Sequence, residues 1–143
     1  MALPDPVPGL VFRYEYLWAD EASAGLGTAV KERPACIVLA SDRRQDDVRV
    51  VIVPITHVRP ADETPAIELS DRLKKHLQLD GQRSWVILSE VNTDFWPSPD
   101  MRQVPNRPGI FHYGLLPTAM VTQMRQMILQ ARAEKRLRTV DRT

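Results

Sequence analysis

The stretch PACIVLASDRRQDDVRVVIVPIT, from Pro34 to Thr56, indicates the fold more directly than any other part of the sequence. Its two ends, 34–40 and 48–56, are rich in Val, Ile and Leu, residues that favour extended and half-buried backbone. The charged segment 41–47 between them has the composition of a turn. We therefore expect two antiparallel strands that form a hairpin.

On the N-terminal side of this hairpin the sequence predicts one more strand and a long connection. Residues 9–18 are rich in aromatic and branched side chains and follow the prolines at positions 6 and 8, so they predict a first strand. Residues 19–32 include a run of small residues with two glycines, which is typical of a flexible loop.

On the C-terminal side, short strands alternate with two helices. The predicted strands are 66–69, 84–91 and 110–115, and the segment 94–109, with its four prolines, is predicted to be largely loop. Ser70 is a suitable N-cap for a two-turn helix over 70–77. A second helix is predicted from Pro117 to about Arg138.

The C-terminal helix carries an apolar stripe at spacings of three and four residues, formed by Met120, Met124, Met127, Ile128 and Ala131. Such a stripe is typical of a helix that packs on a sheet rather than one that binds a cofactor. The fold class that follows is mainly β with helices: a small antiparallel barrel or strongly bent sheet. With 143 residues the chain is expected to form one domain over 1–143, with its core at about 9–138.

The composition limits the functions open to the chain. Nineteen basic and 18 acidic residues leave a net charge of +1, so any nucleic-acid binding must come from a local patch. The start of the chain does not resemble a secretion signal and no apolar run is long enough to span a bilayer, so we expect a soluble, cytoplasmic protein that does not bind membranes.

The single cysteine and the three histidines suggest no metal or cofactor. Cys36 lies in an apolar run and is interpreted as a core residue. The histidines are widely spaced and lack the spacing of metal ligands, so no metal and no other cofactor is predicted.

Four short motifs in a fixed order carry a resemblance to a known family. Gly9-Leu10-Val11 opens a strand, a glycine-bearing loop follows, Lys31-Glu32-Arg33-Pro34 enters the next strand, and Val53-Pro54-Ile55-Thr56 ends the one after it. In order and spacing these resemble the MazF/PemK family of toxins, over roughly residues 9–138. The resemblance implies an SH3-like barrel, a homodimer, sequence-selective cleavage of single-stranded RNA without a metal, and neutralisation by a small antitoxin protein.

The resemblance also implies a site. Arg33 and Thr56 match the family's Arg-Pro and Pro-x-Thr positions, where an arginine and a hydroxyl would stabilise the scissile phosphate. Without the resemblance, Arg33 would be interpreted as a partner in a structural salt bridge and Thr56 as a residue that caps a turn.

Proton transfer needs a further group, and two residues are candidates. His57 follows Thr56, and an imidazole exchanges protons near neutral pH. At the fourth strand, where relatives carry an arginine and an aspartate, this chain has Ile87-Leu88-Ser89-Glu90. Glu90 is the alternative carboxylate base if its strand register brings it to the groove; otherwise it is a solvent-facing strand residue.

Four residues are candidates for binding RNA rather than cleaving it. Lys31 and Arg13 would add positive charge to the groove, and Asn92 would be a polar neighbour of Glu90. Trp96, in the proline-rich segment, would stack on a base, although a lid or a dimer contact explains that segment equally well.

A different class of function is compatible with the same barrel. CcdB toxins resemble MazF in fold, yet they act by binding DNA gyrase rather than by cleaving RNA. The alternative hypothesis is therefore a binding module without catalysis, or a diverged member of the family that has lost its activity.

Overall fold

The chain folds around one curled β-sheet, seen in a computed structural model that describes residues 3–27, 31–41 and 48–143. In these residues there are eight strands and three helices. Their order is β1 (Leu10–Tyr14), α1 (Ala19–Ser23), β2 (Arg33–Ala40), β3 (Val48–Thr56), β4 (Ala66–Glu68), α2 (Asp71–His76), β5 (Trp85–Ile87), β6 (Glu90–Trp96), β7 (His112–Leu115), α3 (Thr118–Ala133) and β8 (Arg138–Asp141). The predicted fold class, a mainly β barrel-like sheet with helices, is confirmed.

Strand β3 organises the sheet because three other strands pair with it. β2 runs antiparallel along one edge of β3, as predicted for the hairpin. On the other edge, β6 pairs with residues 48–52 of β3 and β5 pairs with residues 55 and 56. The sheet continues from β2 to β1 and β7, while β4 extends it beyond β5. The predicted turn at 42–47 lies outside the described residues.

The predicted strand over 84–91 is in fact two strands, β5 and β6, which is a correction. Both run antiparallel to β3, but Val86 pairs with Ile55 whereas Asn92 pairs with Ile52, so the ladder is interrupted near Leu88 and Ser89. Pro54 lies opposite this interruption, and a proline has no backbone N–H to donate to a ladder. β6 then continues to Trp96, into the segment predicted as loop.

Two further predictions about elements were wrong. The predicted loop over 19–32 begins with the short helix α1, where the side chain of Glu21 accepts a hydrogen bond from the Trp18 N–H at 2.9 Å; residues 28–30 lie outside the described part. The final helix ends at Ala133 rather than near Arg138, and the chain then forms β8, parallel to β6. β8 has only four residues and charged ones at both ends, too short a run to predict a strand, and it pairs with β6 over its whole length.

Apolar side chains cover both faces of the sheet, because successive residues of a strand point to opposite sides. On one face α3 packs through Val121, Met124, Ile128 and Ala131, and Met120 and Met127 are partly buried beside them, as the predicted stripe requires. The other face holds Phe12, Tyr14 and Tyr16. Cys36 is buried, as expected, and Trp85 is buried too.

Local features of the sequence explain how two elements begin. The Ser70 side chain accepts a hydrogen bond from the Leu73 N–H at 3.1 Å, which confirms it as the N-cap of α2. Gly9, before β1, has a φ of +96°, and a Cβ there would lie 3.2 Å from both the Leu116 carbonyl oxygen and a Val121 methyl carbon. Only glycine fits this position without strain. In the described part of the chain, no helix has the length and apolar character needed to cross a membrane.

Candidate functional site

A cleft of about 740 Å³ lies at the edge of the sheet where β2 begins and β3 ends. These two strand ends are neighbours because β2 and β3 are antiparallel, with Ala35 paired to Pro54. The walls are completed by the α2–β5 connection, by the turn at 104–106 and by Tyr113 of β7. The lining residues with polar side chains are Arg13, Lys31, Glu32, Arg33, Thr56, His57, Gln78, Asp80, Ser84, Asn106 and Tyr113.

Five of the eight site residues predicted from the sequence line this cleft. They are Arg33, Thr56 and His57 from the predicted catalytic set, and Lys31 and Arg13 from the predicted RNA-binding set. Glu90, Asn92 and Trp96 do not line it.

Arg33 is held against an aromatic ring. Its guanidinium carbon lies 5.0 Å from the centre of the Trp18 ring, and Trp18 in turn packs edge-on against Tyr16 at 5.3 Å. The Nε of Arg33 is buried and has no hydrogen-bond partner among the residues that the structure describes. Burial lowers the pKa of Arg33 from its ordinary value of 12.5. An arginine in this setting is oriented by stacking on the ring.

The hydroxyl of Thr56 takes part in the turn that follows β3. Thr56 is 6% exposed, and its Oγ1 accepts a hydrogen bond from the Val58 N–H at 3.1 Å. This is the turn-capping role expected of a threonine at a strand end. A hydroxyl that accepts one hydrogen bond still has its own O–H to donate, so Thr56 can also donate a hydrogen bond to a ligand in the cleft.

Both ring nitrogens of His57 are in contact with acceptors. Nδ1 lies 2.9 Å from the Arg83 carbonyl oxygen, and Nε2 lies 3.0 Å from Asp80 Oδ2. A carbonyl oxygen can only accept, so Nδ1 carries a hydrogen, and the Asp80 contact is a hydrogen bond from Nε2 when that nitrogen is protonated too. The side chains of His57 and Asp80 are 47% and 56% exposed.

Arg13 is also paired within the cleft. Its Nε donates to Glu32 Oε1 at 3.1 Å, and one terminal nitrogen donates to the Tyr113 hydroxyl at 3.3 Å. Lys31, at the entrance to β2, is exposed. The cleft therefore combines the cationic side chains of Arg13, Lys31 and Arg33 with two carboxylates, those of Glu32 and Asp80.

The other three predicted residues make contacts within the fold and outside the cleft. Asn92 is fully buried, and its amide accepts from the Leu17 N–H at 2.9 Å and donates to the Leu17 carbonyl at 2.7 Å. Glu90 accepts from the Ala19 N–H at 2.9 Å and from the Tyr16 hydroxyl at 3.2 Å, and burial raises its pKa. Trp96 packs edge-on against Phe12 at 5.3 Å. These three stay outside the site that we describe.

Sequence reasoning missed Asp80 and Arg83, which hold His57. Both belong to the connection between α2 and β5, for which the sequence predicted no role. Asp80 and Arg83 lie 23 and 26 positions from His57 in the chain, and no local pattern links such positions. Only the pairing of β5 with the end of β3 brings them together.

Within the described ranges, no three side chains of His, Cys, Asp or Glu lie close enough together to bind a metal ion. No family model matches the chain, and no curated protein matches its sequence significantly.

Proposed function

We propose that the chain is an endoribonuclease of the MazF/PemK toxin type, which cleaves single-stranded RNA without a metal. The observation that carries the proposal is the cleft at the ends of β2 and β3, which contains Arg33, Thr56 and His57 together. Arg33 begins β2, and Thr56 and His57 lie at the end of β3, so the antiparallel pairing of these two consecutive strands brings them together. Lys31 lies in the same cleft and adds positive charge.

The proposed reaction uses the RNA's own 2′-hydroxyl as nucleophile. Its oxygen bonds to phosphorus, the bond from phosphorus to the 5′-oxygen breaks, and the products are a 2′,3′-cyclic phosphate and a 5′-hydroxyl. The proton lost by the 2′-hydroxyl must be accepted, and the leaving 5′-oxygen must gain one. Arg33 and the Thr56 O–H would stabilise the charge on the phosphorane oxygens, and His57 would give its Nε2 proton to the leaving 5′-oxygen while solvent water takes the proton of the 2′-hydroxyl.

The partners proposed with this activity follow from the resemblance. They are single-stranded RNA as substrate, a small antitoxin protein as inhibitor, and a second copy of the chain in a homodimer. A cytoplasmic location belongs to the same proposal, because messenger RNA is the substrate such a toxin would meet there.

A second candidate function is favoured by one observation. His57 already contacts protein acceptors through both ring nitrogens, and the Thr56 oxygen already accepts a turn hydrogen bond. Groups engaged in this way suit a rigid binding surface as well as they suit proton transfer. The second candidate is therefore a binding module on the same barrel, without catalysis, whose cleft takes an anionic partner.

The test of the first proposal is incubation of the purified protein with a long single-stranded RNA in the presence of EDTA. Arg33→Ala should lower the rate of cleavage at least a hundredfold, since removing one donor to a developing oxyanion costs about 10²–10³ in rate. Arg33→Lys should restore only part of it, because an ammonium cannot reproduce the planar two-donor geometry. The cut ends are mapped to detect cyclic phosphates.

A matched control is available on β3. Arg49 also lies over an aromatic ring, with its guanidinium carbon 5.0 Å from the centre of Phe95, and it does not line the cleft. Arg49→Ala should therefore cleave RNA at the wild-type rate. Intact RNA with the folded wild-type protein would contradict the nuclease and leave the binding module as the better explanation.

A further inference from the structure

Two carboxylates of the chain contact nitrogen atoms of Arg13 and His57 in the cleft. Glu32 accepts from Arg13 at 3.1 Å, and Asp80 lies 3.0 Å from His57 Nε2. A phosphate oxygen would seek the same N–H donors, because carboxylate and phosphate oxygens are both charged acceptors. In the absence of a ligand, Glu32 and Asp80 thus occupy N–H donors of the cleft that a phosphate could also use.

The two contacts of His57 differ in how firmly they are held. The Nδ1 partner is a backbone carbonyl, that of Arg83, whose side chain donates two hydrogen bonds to Glu68 at 2.8 and 2.9 Å and lies over the Trp85 ring. The Nε2 partner is a side chain that is 56% exposed and is otherwise held by one hydrogen bond, from the Gln82 N–H to Asp80 Oδ1. The Arg83 carbonyl therefore orients the ring, while the Asp80 contact can be exchanged.

From this asymmetry we infer that Asp80 occupies, in the free protein, the place on His57 that a phosphate of single-stranded RNA takes on binding. The inference rests on the proposed function, since it takes RNA as the ligand of the cleft. Binding exchanges one charged acceptor on Nε2 for another, so the number of hydrogen bonds to His57 is unchanged. Asp80 acts as an internal competitor that weakens the binding of any anionic ligand.

The exchange does not require the surrounding loop to rearrange. Asp80 Oδ1 accepts a hydrogen bond from the Gln82 N–H at 3.0 Å, a turn contact that an asparagine at this position can also make. Asp80→Asn therefore removes the competing charge and keeps an acceptor for the turn. This makes it a suitable variant for testing the competition without disturbing the loop.

The experiment measures the affinity of a fluorescently labelled, mixed-sequence, single-stranded oligonucleotide made entirely of 2′-deoxy nucleotides. This probe lacks the 2′-hydroxyl and cannot be cleaved by the proposed reaction, so the measurement reports binding alone. It is made at the same pH and salt concentration for every variant. Asp80→Asn should bind about twofold to fivefold more tightly than wild type, the range expected on loss of one exposed charge pair.

Two further variants make the result specific to His57. In a His57→Gln background, Asp80→Asn should change the affinity by much less than it does in wild type, because the group for which Asp80 competes is gone. Glu134→Gln removes the same charge from another exposed carboxylate in an ion pair, outside the cleft, and should leave the affinity unchanged.

The outcomes separate this inference from the proposed nuclease. An Asp80→Asn affinity equal to wild type, an equal gain in Glu134→Gln, a gain that persists in His57→Gln, or no binding by any variant would each overturn the inference. A gain in binding dependent on His57, together with uncleaved RNA in the EDTA assay, would support the inference and contradict the nuclease.

Discussion

At the scale of single residues, Arg33 depends on Trp18 for its position. The guanidinium carbon of Arg33 lies 5.0 Å from the centre of the Trp18 ring. The buried Nε of Arg33 has no hydrogen-bond partner in the described part of the chain. Stacking of a guanidinium on an aromatic face is worth about 0.5–1 kcal/mol at exposed sites and about 2 kcal/mol when water is excluded. Trp18 is thus a positioning residue in the proposed site, although it does not itself line the cleft.

Replacing Trp18 with leucine should slow the proposed RNA cleavage by about threefold to tenfold. Leucine keeps apolar volume but removes the π face, and a loss of about 0.6–1.4 kcal/mol in positioning corresponds to this range of rates. The measurement is the rate of RNA cleavage in EDTA. As a control, Trp96→Leu should cleave at the wild-type rate, because Trp96 packs on Phe12 outside the cleft; an equal loss in both variants would contradict a specific role for Trp18.

At the scale of elements, side-chain hydrogen bonds from β6 hold the start of α1. The helix has only five residues, too few to be stable alone. Its first N–H, from Ala19, donates to Glu90, and the backbone of Leu17 just before it is held at both its N–H and its carbonyl by Asn92. Two polar residues of one strand therefore determine where a neighbouring helix begins.

Glu90→Gln tests this connection through its pH dependence. Burial is the main reason that the pKa of Glu90 is raised above its ordinary value of 4.5. With a raised pKa in the folded state, the carboxyl favours folding when protonated, below about pH 4.5, and this contribution is lost as the pH rises through the folded-state pKa. A neutral glutamine can still accept from Ala19 and Tyr16, so the variant should gain stability relative to wild type as the pH rises.

The measurement is urea unfolding of both proteins at about pH 4 and about pH 7. We expect the free energy of unfolding of Glu90→Gln, minus that of wild type, to be more positive at the higher pH. A difference that stays constant, or that becomes more negative at the higher pH, would show that ionised Glu90 is not disfavoured by its burial.

At the scale of the whole molecule, the C-terminal segment connects elements from both ends of the chain. β8 pairs with β6, and beyond it the Arg142 side chain, only 5% exposed, enters the structure. One of its terminal nitrogens donates to the Glu15 carbonyl at 2.9 Å, and the other donates to Asp100 at 2.8 Å. Arg142 thereby links β1, β6 and the segment after β6.

Arg142→Ala should lower the free energy of unfolding by about 2–4 kcal/mol. The change removes several charge-assisted hydrogen bonds and leaves the half-buried carboxylate of Asp100 without this partner, and losing one partner of a buried pair is costly. Arg136→Ala, which removes an arginine that is 48% exposed and pairs with Glu134, should change it by no more than about 0.5 kcal/mol. Equal effects in chemical unfolding experiments would contradict the linking role of Arg142.

Local sequence patterns were enough to predict many elements but not how they meet. The hairpin of β2 and β3, the N-cap at Ser70 and the apolar stripe of α3 all depend on residues close together in the chain, and all three were predicted. β8 was not, because four residues with a charged residue at each end give no clear local pattern, and its partner β6 lies more than 40 positions away in the sequence. The break between β5 and β6 lies opposite Pro54 of β3, more than 30 positions away in sequence.

The candidate site divides in the same way. Local motifs proposed Arg33, Thr56 and His57, and their presence in one cleft follows from two antiparallel strands whose ends must be neighbours. The same motifs gave no sign of Asp80, of the Arg83 carbonyl or of the ring under Arg33. They also gave no sign that Asn92 and Glu90 hold the backbone of residues 17 and 19.

By itself, then, the sequence determined the kinds of elements this chain forms and the chemical groups available at the ends of two strands, since side-chain periodicity and capping act over a few residues. The tertiary structure alone decided which carboxylate faces His57, which ring supports Arg33 and which polar residues are enclosed in the core. These contacts join residues 15 to more than 70 positions apart, and they exist only once the sheet has curled and brought its strands together.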